Sequence, residues 1–379
     1  MVKTETLLLF FAGLLLVFAA PRAGAARRPA APVVVGYVFA KDAVLAPGEI
    51  DAQSLTRINF AFANIANGRM VEGYPADAQN LATLTALRRQ NPALTVLVSV
   101  GGWLWSTNFS DVALTPQSRQ VFVQSVIEFL QRYDLDGLDI DWEYPGLAGS
   151  GHPFRSQDKQ NFTLLLRDMR QRFDREAKMG HRRLYLTIAA GASEDFLAHT
   201  EMKKAQRYLD TVNLMAYDFS GAFSDATTSH HAPLYANPAS PKKDSVDEEV
   251  RAFLEAGVPA AKLVLGVPFY GHAWGEVSAE NHGLFQPGKP TAADFASYGT
   301  ITTLPAQGFV RYWDAAASAP YIYSAEKKVF ITYEDPQSLG AKCSYIKAHK
   351  LAGVMFWQYS GDPSGELLKT IREKLLGPL

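Results

Sequence analysis

Three carboxylates at alternate positions of an apolar segment are the strongest chemical signal in this sequence. Asp139, Asp141 and Glu143 lie in the run DGLDIDWEYP at residues 136–145. Side chains two residues apart on a β-strand point to the same face, so these acids would form one row. Because carboxylates this close cannot all ionise cheaply, at least one should have a raised pKa, as a general acid working near neutral pH requires. The segment therefore predicts an acid–base catalytic site.

An alternative is that the acids face water on a solvated edge strand. The residues between them, Leu138, Ile140 and Trp142, are apolar and suit packing beneath helices, and Pro145 ends the run where a loop would begin. These neighbours favour a buried strand whose acidic row lines a cavity.

Aromatic side chains recur at the ends of other apolar runs. One such run closes with Gly101 and Gly102, which allow a sharp exit and leave Trp103 at a rim. Aromatic rings stack on the apolar C–H faces of sugars, whose edges carry hydroxyls. Any one ring could equally be a core residue, but the set beside an acidic row favours a sugar-binding cleft. Its members are Tyr37, Phe39, Trp103, Tyr217, Phe356 and Trp357, with Met215 on the same face as Tyr217.

The elements that must position these residues alternate between short β-rich runs and helical stretches. Residues 118–133 and 160–173, for example, carry apolar positions at helical spacing. Eight strands, each followed by a helix-sized connection, predict a parallel (β/α)8 barrel, with a doubly wound sheet as the alternative. The predicted strands are 33–39, 57–63, 94–100, 135–142, 184–190, 211–217, 263–269 and 353–359.

The connection between the seventh and eighth predicted strands is longer than the others. Within it, residues 320–324 and 328–333 have the aromatic character of short strands. Asp335-Pro336 is typical of a helix start, with a capping residue and a proline in the first turn. We therefore expect a small α+β insertion over residues 275–333 that stands on the catalytic end of the barrel and forms one wall of a cleft.

The charge balance and the sparse cysteines and histidines restrict the partners. Lysine plus arginine total 37 and aspartate plus glutamate 38, which argues against a polyanion such as nucleic acid. The single cysteine, Cys343, excludes an intramolecular disulfide and a cysteine metal site. His230-His231 is the one adjacent histidine pair, and no histidine spacing resembles a zinc site. The sequence thus predicts neither a metal nor a cofactor.

The N-terminus has the pattern of a secretory signal peptide. Lys3 precedes an apolar stretch at residues 7–20, and small residues follow at 23–26. We expect a signal peptide over residues 1–26; the alternative is an uncleaved anchor, given Arg27 and Arg28 just beyond the apolar run. The mature chain is then predicted to be a soluble monomer without stable membrane association, extracellular or, in a Gram-negative bacterium, periplasmic. The catalytic domain would occupy residues 33–379.

Taken together, these motifs resemble glycoside hydrolase family 18, the chitinase family. Its signature Asp-x-x-Asp-x-Asp-x-Glu, carried on the fourth barrel strand, is matched by Asp136, Asp139, Asp141 and Glu143. The resemblance covers about residues 33–374 and includes Ser-x-Gly-Gly at 99–102, Met-x-Tyr-Asp at 215–218, the insertion and the tryptophan of the last strand. It implies a TIM barrel that acts on chitin or N-acetylglucosamine oligosaccharides.

The resemblance also implies a role for each matched residue. Glu143 would be the general acid that protonates the glycosidic oxygen, Asp141 would orient the substrate's N-acetyl group, and Asp139 would tune Asp141. Ser99 would assist Asp139, and Tyr217 would hydrogen-bond the acetamido group. The remaining residues expected to bind substrate are Tyr37, Phe62, Trp103, Tyr144, Met215, Asp218, Tyr270 and Trp357.

The family's mechanism uses no carboxylate nucleophile. The substrate's acetamido oxygen attacks the anomeric carbon and forms an oxazolinium ion, an exception to the usual two-carboxylate scheme. Two other functions stay open: a hydrolase of another N-acetylglucosamine glycan, such as an N-glycan or peptidoglycan, and a non-catalytic chitin-binding lectin. Lectin-like members of the family lose the acid, whereas Glu143 is present here.

One position departs from the family pattern. Many relatives carry arginine in a Tyr-Gly-Arg element after the seventh strand, where it helps bind sugar and pairs with the aspartate of Met-x-Tyr-Asp; this chain has Tyr270-Gly271-His272. Histidine is shorter and only partly charged at neutral pH. Either His272 faces the cleft and pairs with Asp218, or it packs at the root of the insertion.

Overall fold

The computed structural model describes residues 31–221 and 223–378; the predicted signal peptide at residues 1–26 lies outside the described residues. The strands are β1 (Val33–Phe39), β2 (Arg57–Ala66), β3 (Arg69–Val71), β4 (Thr95–Gly101), β5 (Gly137–Asp141), β6 (Tyr185–Gly191), β7 (Thr211–Met215), β8 (Leu263–Pro268), β9 (Tyr270–Gly275), β10 (Lys289–Pro290), β11 (Ala296–Ser297), β12 (Val310–Asp314), β13 (Ala319–Ser324), β14 (Val329–Thr332) and β15 (Gly353–Trp357). The α-helices are α1 (Asp77–Ala86), α2 (Phe109–Leu114), α3 (Pro116–Arg132), α4 (Asp158–Lys178), α5 (Glu194–Ala198), α6 (Met202–Ala205), α7 (Val246–Glu255), α8 (Tyr298–Ile301), α9 (Pro336–His349) and α10 (Glu366–Leu375). Among the described residues, every helix is too short or too polar to span a bilayer.

Eight parallel strands close into a barrel in the order β1-β2-β4-β5-β6-β7-β8-β15. Closure is direct, because β1 pairs with β2 on one side and with β15 on the other. The predicted (β/α)8 barrel is therefore confirmed, and the doubly wound sheet is excluded because such a sheet has two open edges.

The place of β5 between two other barrel strands explains its alternating sequence. It pairs with β4 on one side and β6 on the other, so it is not an edge strand. Leu138 and Ile140 are fully buried in the layer between the barrel and its helices. Trp142 stacks on Phe109 of α2 with ring centroids 5.3 Å apart, which leaves the acidic face directed into the barrel.

Four predicted strands extend further than the structure allows. The fourth was expected to reach residue 142 and the sixth residue 217, but β5 ends at Asp141 and β7 at Met215. The seventh was expected to reach residue 269 and the eighth residue 359, but β8 ends at Pro268 and β15 at Trp357. After β7, the backbone N–H groups of Ala216 and Tyr217 bond to carbonyls two residues back instead of to a neighbouring strand. The chain leaves the sheet there, and polar side chains can then spread over the barrel mouth.

A second sheet of six strands lies in the segment between β8 and α9. Its path is β10-β9-β14-β13-β12, with β11 also paired to β9. Its own core includes Trp274, Tyr323 and Phe330. The sheet begins at Tyr270, ahead of residue 275 where the insertion was expected to start. The sequence did not indicate β9, because glycines at two of its six positions give it weak strand propensity. Helix α9 follows, capped by the Asp335 side chain.

Candidate active site

The carboxylate row (Asp139, Asp141 and Glu143) lies at the carboxyl end of β5, where barrel enzymes build their active sites. All three side chains are buried. The neighbouring strand β4 turns away sharply at Gly101, which has a φ of +105°. A Cβ at this glycine would lie only 2.3 Å from the backbone oxygen of Asp141, so a side chain there would displace the acidic strand.

Asp139 is held by four donors on four different strands. Its carboxylate accepts hydrogen bonds from the hydroxyls of Tyr37 and Ser99, both at 2.8 Å, and from the Thr187 hydroxyl. The Asn213 amide donates a fourth bond at 3.1 Å. Burial raises the pKa of Asp139, and the hydroxyl donors oppose that rise. The barrel thus fixes this carboxylate in one orientation beneath the rest of the row.

Arg57 places a positive charge inside the barrel below Asp139. Its guanidinium is buried and donates to the Thr211 hydroxyl at 3.0 Å. The charge of Arg57 also opposes the rise in the pKa of Asp139. Sequence reasoning missed Arg57, although an arginine that begins a largely apolar strand could have indicated a buried counter-charge.

Asp141 and Glu143 have few compensating partners. Burial, followed by the charges of Glu143 and Asp139, raises the pKa of Asp141, and its Oδ1 atom has no hydrogen-bond partner among the described residues. Burial raises the pKa of Glu143 to about 7, and the charge of Asp218 adds to the rise. A pKa raised toward neutrality suits a residue that must both donate and accept a proton.

Ser106 fixes the backbone on which Glu143 stands. Its hydroxyl accepts a hydrogen bond from the Glu143 N–H at 2.8 Å and donates to the carbonyl of Gly102 at 3.0 Å. Sequence reasoning missed this residue, because one serine in a loop after a strand carries no distinctive pattern.

Asp136, the first acid of the motif, lies at the opposite end of β5. Arg88 and Arg182 pair with its two oxygens at 2.6 and 2.8 Å, and the Val96 N–H donates at 2.7 Å. These contacts anchor the start of the strand and leave Asp136 far from the barrel mouth.

The open cleft over the row has a volume of about 990 Å³. Most of the predicted site residues line it, whereas Asp139 and its partner Ser99 lie beneath it. The prediction that Phe356 belongs to the sugar-binding aromatic set is wrong, because its ring is buried in the core and stacks on Phe269 with centroids 4.3 Å apart. Trp357 stacks on Phe62 with centroids 5.5 Å apart and forms the floor. Trp103 stands at the rim with 49% of its surface exposed. Lining residues that the sequence did not predict include Tyr74, Leu104, Trp105, Phe223, Asp294 and Phe295.

His272 lies in the cleft wall formed by the second sheet. Its Nε2 atom is 2.9 Å from Asp218 Oδ1 and its Nδ1 atom is 2.7 Å from Asp294 Oδ1. Burial disfavours the imidazolium, but the bonds to these two carboxylates outweigh it and raise the pKa of His272 to about 9. Of the two hypotheses for this residue, the structure shows the pairing with Asp218. Asp294, the second partner, was missed because it is distant in sequence.

Comparison with known proteins gives the chain's relatives. The model for glycosyl hydrolases family 18 matches residues 33–362. Chitinase A1 of Niallia circulans is 41% identical over 318 residues, which are 80% of this chain and 45% of that protein. The chain thus spans less than half the length of this curated relative.

Solved structures share the fold over nearly the whole described chain. Chitinase ChiW of a Paenibacillus species has a TM-score of 0.86 at 38% identity, covering 91% of this chain and 33% of that one. A family 18 N-acetylglucosaminidase of Paenibacillus barengoltzii has a TM-score of 0.83 at 42% identity, covering 91% of this chain and 100% of that one.

Proposed function

The chain belongs to glycosyl hydrolases family 18, and from this premise we propose that it is a chitinase that hydrolyses β-1,4-linked N-acetylglucosamine polymers with retention. The observation that carries the proposal is the buried pair of Asp141 and Glu143 at the mouth of the barrel. Burial raises the pKa of Glu143 to about 7, so at neutral pH it can give and take a proton. A lectin would need no such group.

In the first step, Glu143 gives its proton to the glycosidic oxygen as the bond from that oxygen to the anomeric carbon breaks. The substrate's acetamido oxygen forms the new bond to the anomeric carbon and yields an oxazolinium ion. The Oδ1 atom of Asp141, which has no hydrogen-bond partner within the described part of the chain, can accept the acetamido N–H and so orient the group. Burial raises the pKa of Tyr217 well above its ordinary value, so its hydroxyl remains a donor toward the acetamido oxygen.

In the second step, water attacks the anomeric carbon and opens the oxazolinium ring. Glu143, now ionised, takes the proton from that water and returns to its starting state. Two inversions at one carbon give net retention. Asp139 takes no proton in this scheme; its four hydrogen bonds hold the charge that faces Asp141.

The cleft favours an oligosaccharide as the ligand. Its volume of about 990 Å³ is at the upper end of small-molecule sites, which span about 300–1,000 Å³. The aromatic floor at Trp357 and the rim at Trp103 offer two separate faces for sugar rings. Chitin, a repeat of one acetamido sugar, would place a ring on each.

We also propose that the protein is secreted through cleavage of its N-terminal segment near Ala25 or Ala26. The support is the sequence pattern of residues 1–26. N-terminal sequencing of protein recovered from the medium of a secreting host tests it, and a start at Met1 in that material would contradict it.

Product analysis tests the enzymatic proposal. Soluble N-acetylglucosamine oligomers should be cut, with short oligomers as products, whereas an N-glycosylated peptide should not. Fully deacetylated oligomers should bind but scarcely react, because they lack the attacking acetamido oxygen. Release of single N-acetylglucosamine units from chain ends would instead support the activity named for the Paenibacillus barengoltzii structure.

A further inference from the structure

Two histidines and one carboxylate from separate parts of the chain meet where the second sheet joins the barrel. Asp218 follows β7, His231 lies in the loop beyond it, and His272 lies on β9. One ligand atom from each lies within 4.8 Å of the other two. Their spacing resembles no short metal motif, so the sequence alone predicted no metal site.

His231 is the feature of this cluster that needs explanation. The side chain is 0% exposed, and neither ring nitrogen has a hydrogen-bond partner among the described residues. Its Nδ1 atom lies 3.6 Å from Asp218 Oδ1, beyond hydrogen-bond distance. Buried polar groups are nearly always satisfied, so an imidazole in this position indicates a missing partner.

The distances match those between two ligands of one tetrahedral ion. Bonds of about 2.0–2.1 Å from zinc to nitrogen or oxygen place neighbouring ligand atoms about 3.3 Å apart. Asp218 Oδ1 is 2.9 Å from His272 Nε2 and 3.6 Å from His231 Nδ1, values on either side of that separation. All three ligand atoms lie within 4.8 Å of one another, so a modest inward movement of the side chains would bring them around a common ion.

Asp294 supplies the support that a histidine ligand needs. It accepts from His272 Nδ1 at 2.7 Å, and the Ala273 N–H holds the same Asp294 oxygen at 3.0 Å. A carboxylate behind a metal-bound histidine fixes the ring and its tautomer, so that the other nitrogen faces the ion. Here that other nitrogen is hydrogen-bonded to Asp218, so an ion that binds there takes the place of its proton, which is released to solvent.

We propose that Asp218, His231 and His272 bind a divalent transition metal ion, and that Zn²⁺ fits the set. Two imidazoles and one carboxylate are typical zinc ligands, whereas Mg²⁺ and Ca²⁺ require more oxygen donors. The side chain of Asp218 is 46% exposed to the cleft, so the fourth position opens toward water or a sugar hydroxyl. The proposal stands independently of the glycosidase mechanism.

Titration calorimetry of the chelator-treated full chain with Zn²⁺ tests the site. We expect one ion per chain, and with Co²⁺ the visible absorption of a tetrahedral nitrogen–oxygen site. Asp218→Asn, which keeps the side-chain volume, and His231→Ala should each weaken binding more than tenfold. Asp294→Asn should weaken it by about 10–100-fold, since it removes only the supporting carboxylate.

His181→Ala is the matched control. This histidine is exposed and bonds to Glu176 at 2.8 Å, so it offers a second carboxylate–histidine pair at the surface. Binding should persist in this variant. Loss of binding in His181→Ala, unchanged affinity in Asp218→Asn, or failure of the unaltered chain to bind one ion would overturn the proposal.

Discussion

The floor of the cleft and its wall beside the second sheet both hold carboxylates, and their surroundings shift the pKa in opposite directions. At the floor, burial and neighbouring acids raise the pKa of Asp141 and Glu143. In the wall, partial burial would raise the pKa of Asp218, but contacts with His231 and His272 lower it. The same cleft therefore holds a proton donor on one side and a permanent negative charge on the other. The ionisation of each acid thus follows from its partners together with its burial.

The variant with the largest expected effect removes the proton donor. Glu143→Gln should lower kcat on N-acetylglucosamine oligomers by about two to four orders of magnitude, because the amide cannot protonate the leaving oxygen. Ligand binding should persist, since the amide keeps the size of the acid. Steady-state kinetics and calorimetry measure the two effects. Glu255→Gln, on an exposed helix end, should change neither, and near-normal turnover by Glu143→Gln would remove this residue from its role.

A second test weakens the support beneath the row. Tyr37→Phe removes a hydroxyl that donates to Asp139 at 2.8 Å. Hydrogen bonds to charged groups contribute about 1.5–3 kcal/mol, so the free energy of unfolding should fall by that amount, with a drop in kcat. Denaturant unfolding gives the stability change. Tyr208→Phe, at a half-buried position on the outer core, is the control. An equal loss of stability in that variant would show that the hydrogen bond to Asp139 adds nothing to the stability.

A third test loosens the backbone of the acid without changing its chemistry. Ser106→Ala removes the acceptor of the Glu143 N–H. The free energy lost with this hydrogen bond should be about 0.5–1.5 kcal/mol, the net contribution of a neutral hydrogen bond. It should appear as a severalfold lower kcat with little change in KM. A larger change in KM than in kcat would mean that Ser106 acts on the substrate instead.

The smallest expected effect links the two regions. Because Glu143 must be protonated for the first step, kcat/KM should fall as pH rises through about 7. Asp218→Asn removes a negative charge that raises the pKa of Glu143, so this falling limb should move to lower pH, by less than about one unit. The pH profile of chelator-treated protein measures it. A shift to higher pH would contradict the described coupling.

The two regions also differ in how far the sequence predicts them. The carboxylate row lies within five consecutive residues, on β5 and just beyond its end, so alternation alone indicated Asp139, Asp141 and Glu143. The barrel followed similarly from short runs with strand or helix periodicity. The hydrogen-bond donors to Asp139 come from four strands, and Thr187 and Asn213 escaped notice because only closure of the barrel brings them near.

The wall was less predictable for the same physical reason. Resemblance to the family indicated Asp218 and raised the question of His272, but Asp294 and His231 are brought there by the second sheet and a long loop. The sequence also did not predict the start of that sheet, since the glycines of β9 reduce the strand propensity of this segment. Contacts between segments far apart in the chain leave no local periodicity.

The pairing of β1 with β15 has a consequence for synthesis. Val33 lies opposite Gly353, and Gly36 opposite Phe356. The first barrel strand therefore cannot complete its pairing until β15, near the end of the chain, has emerged from the ribosome. Such distant pairing slows folding, because loop-closure entropy is lost before the contacts form. Trp357, the floor of the cleft, arrives with the same strand. A growing chain therefore completes its barrel and its sugar-binding surface in a single late event.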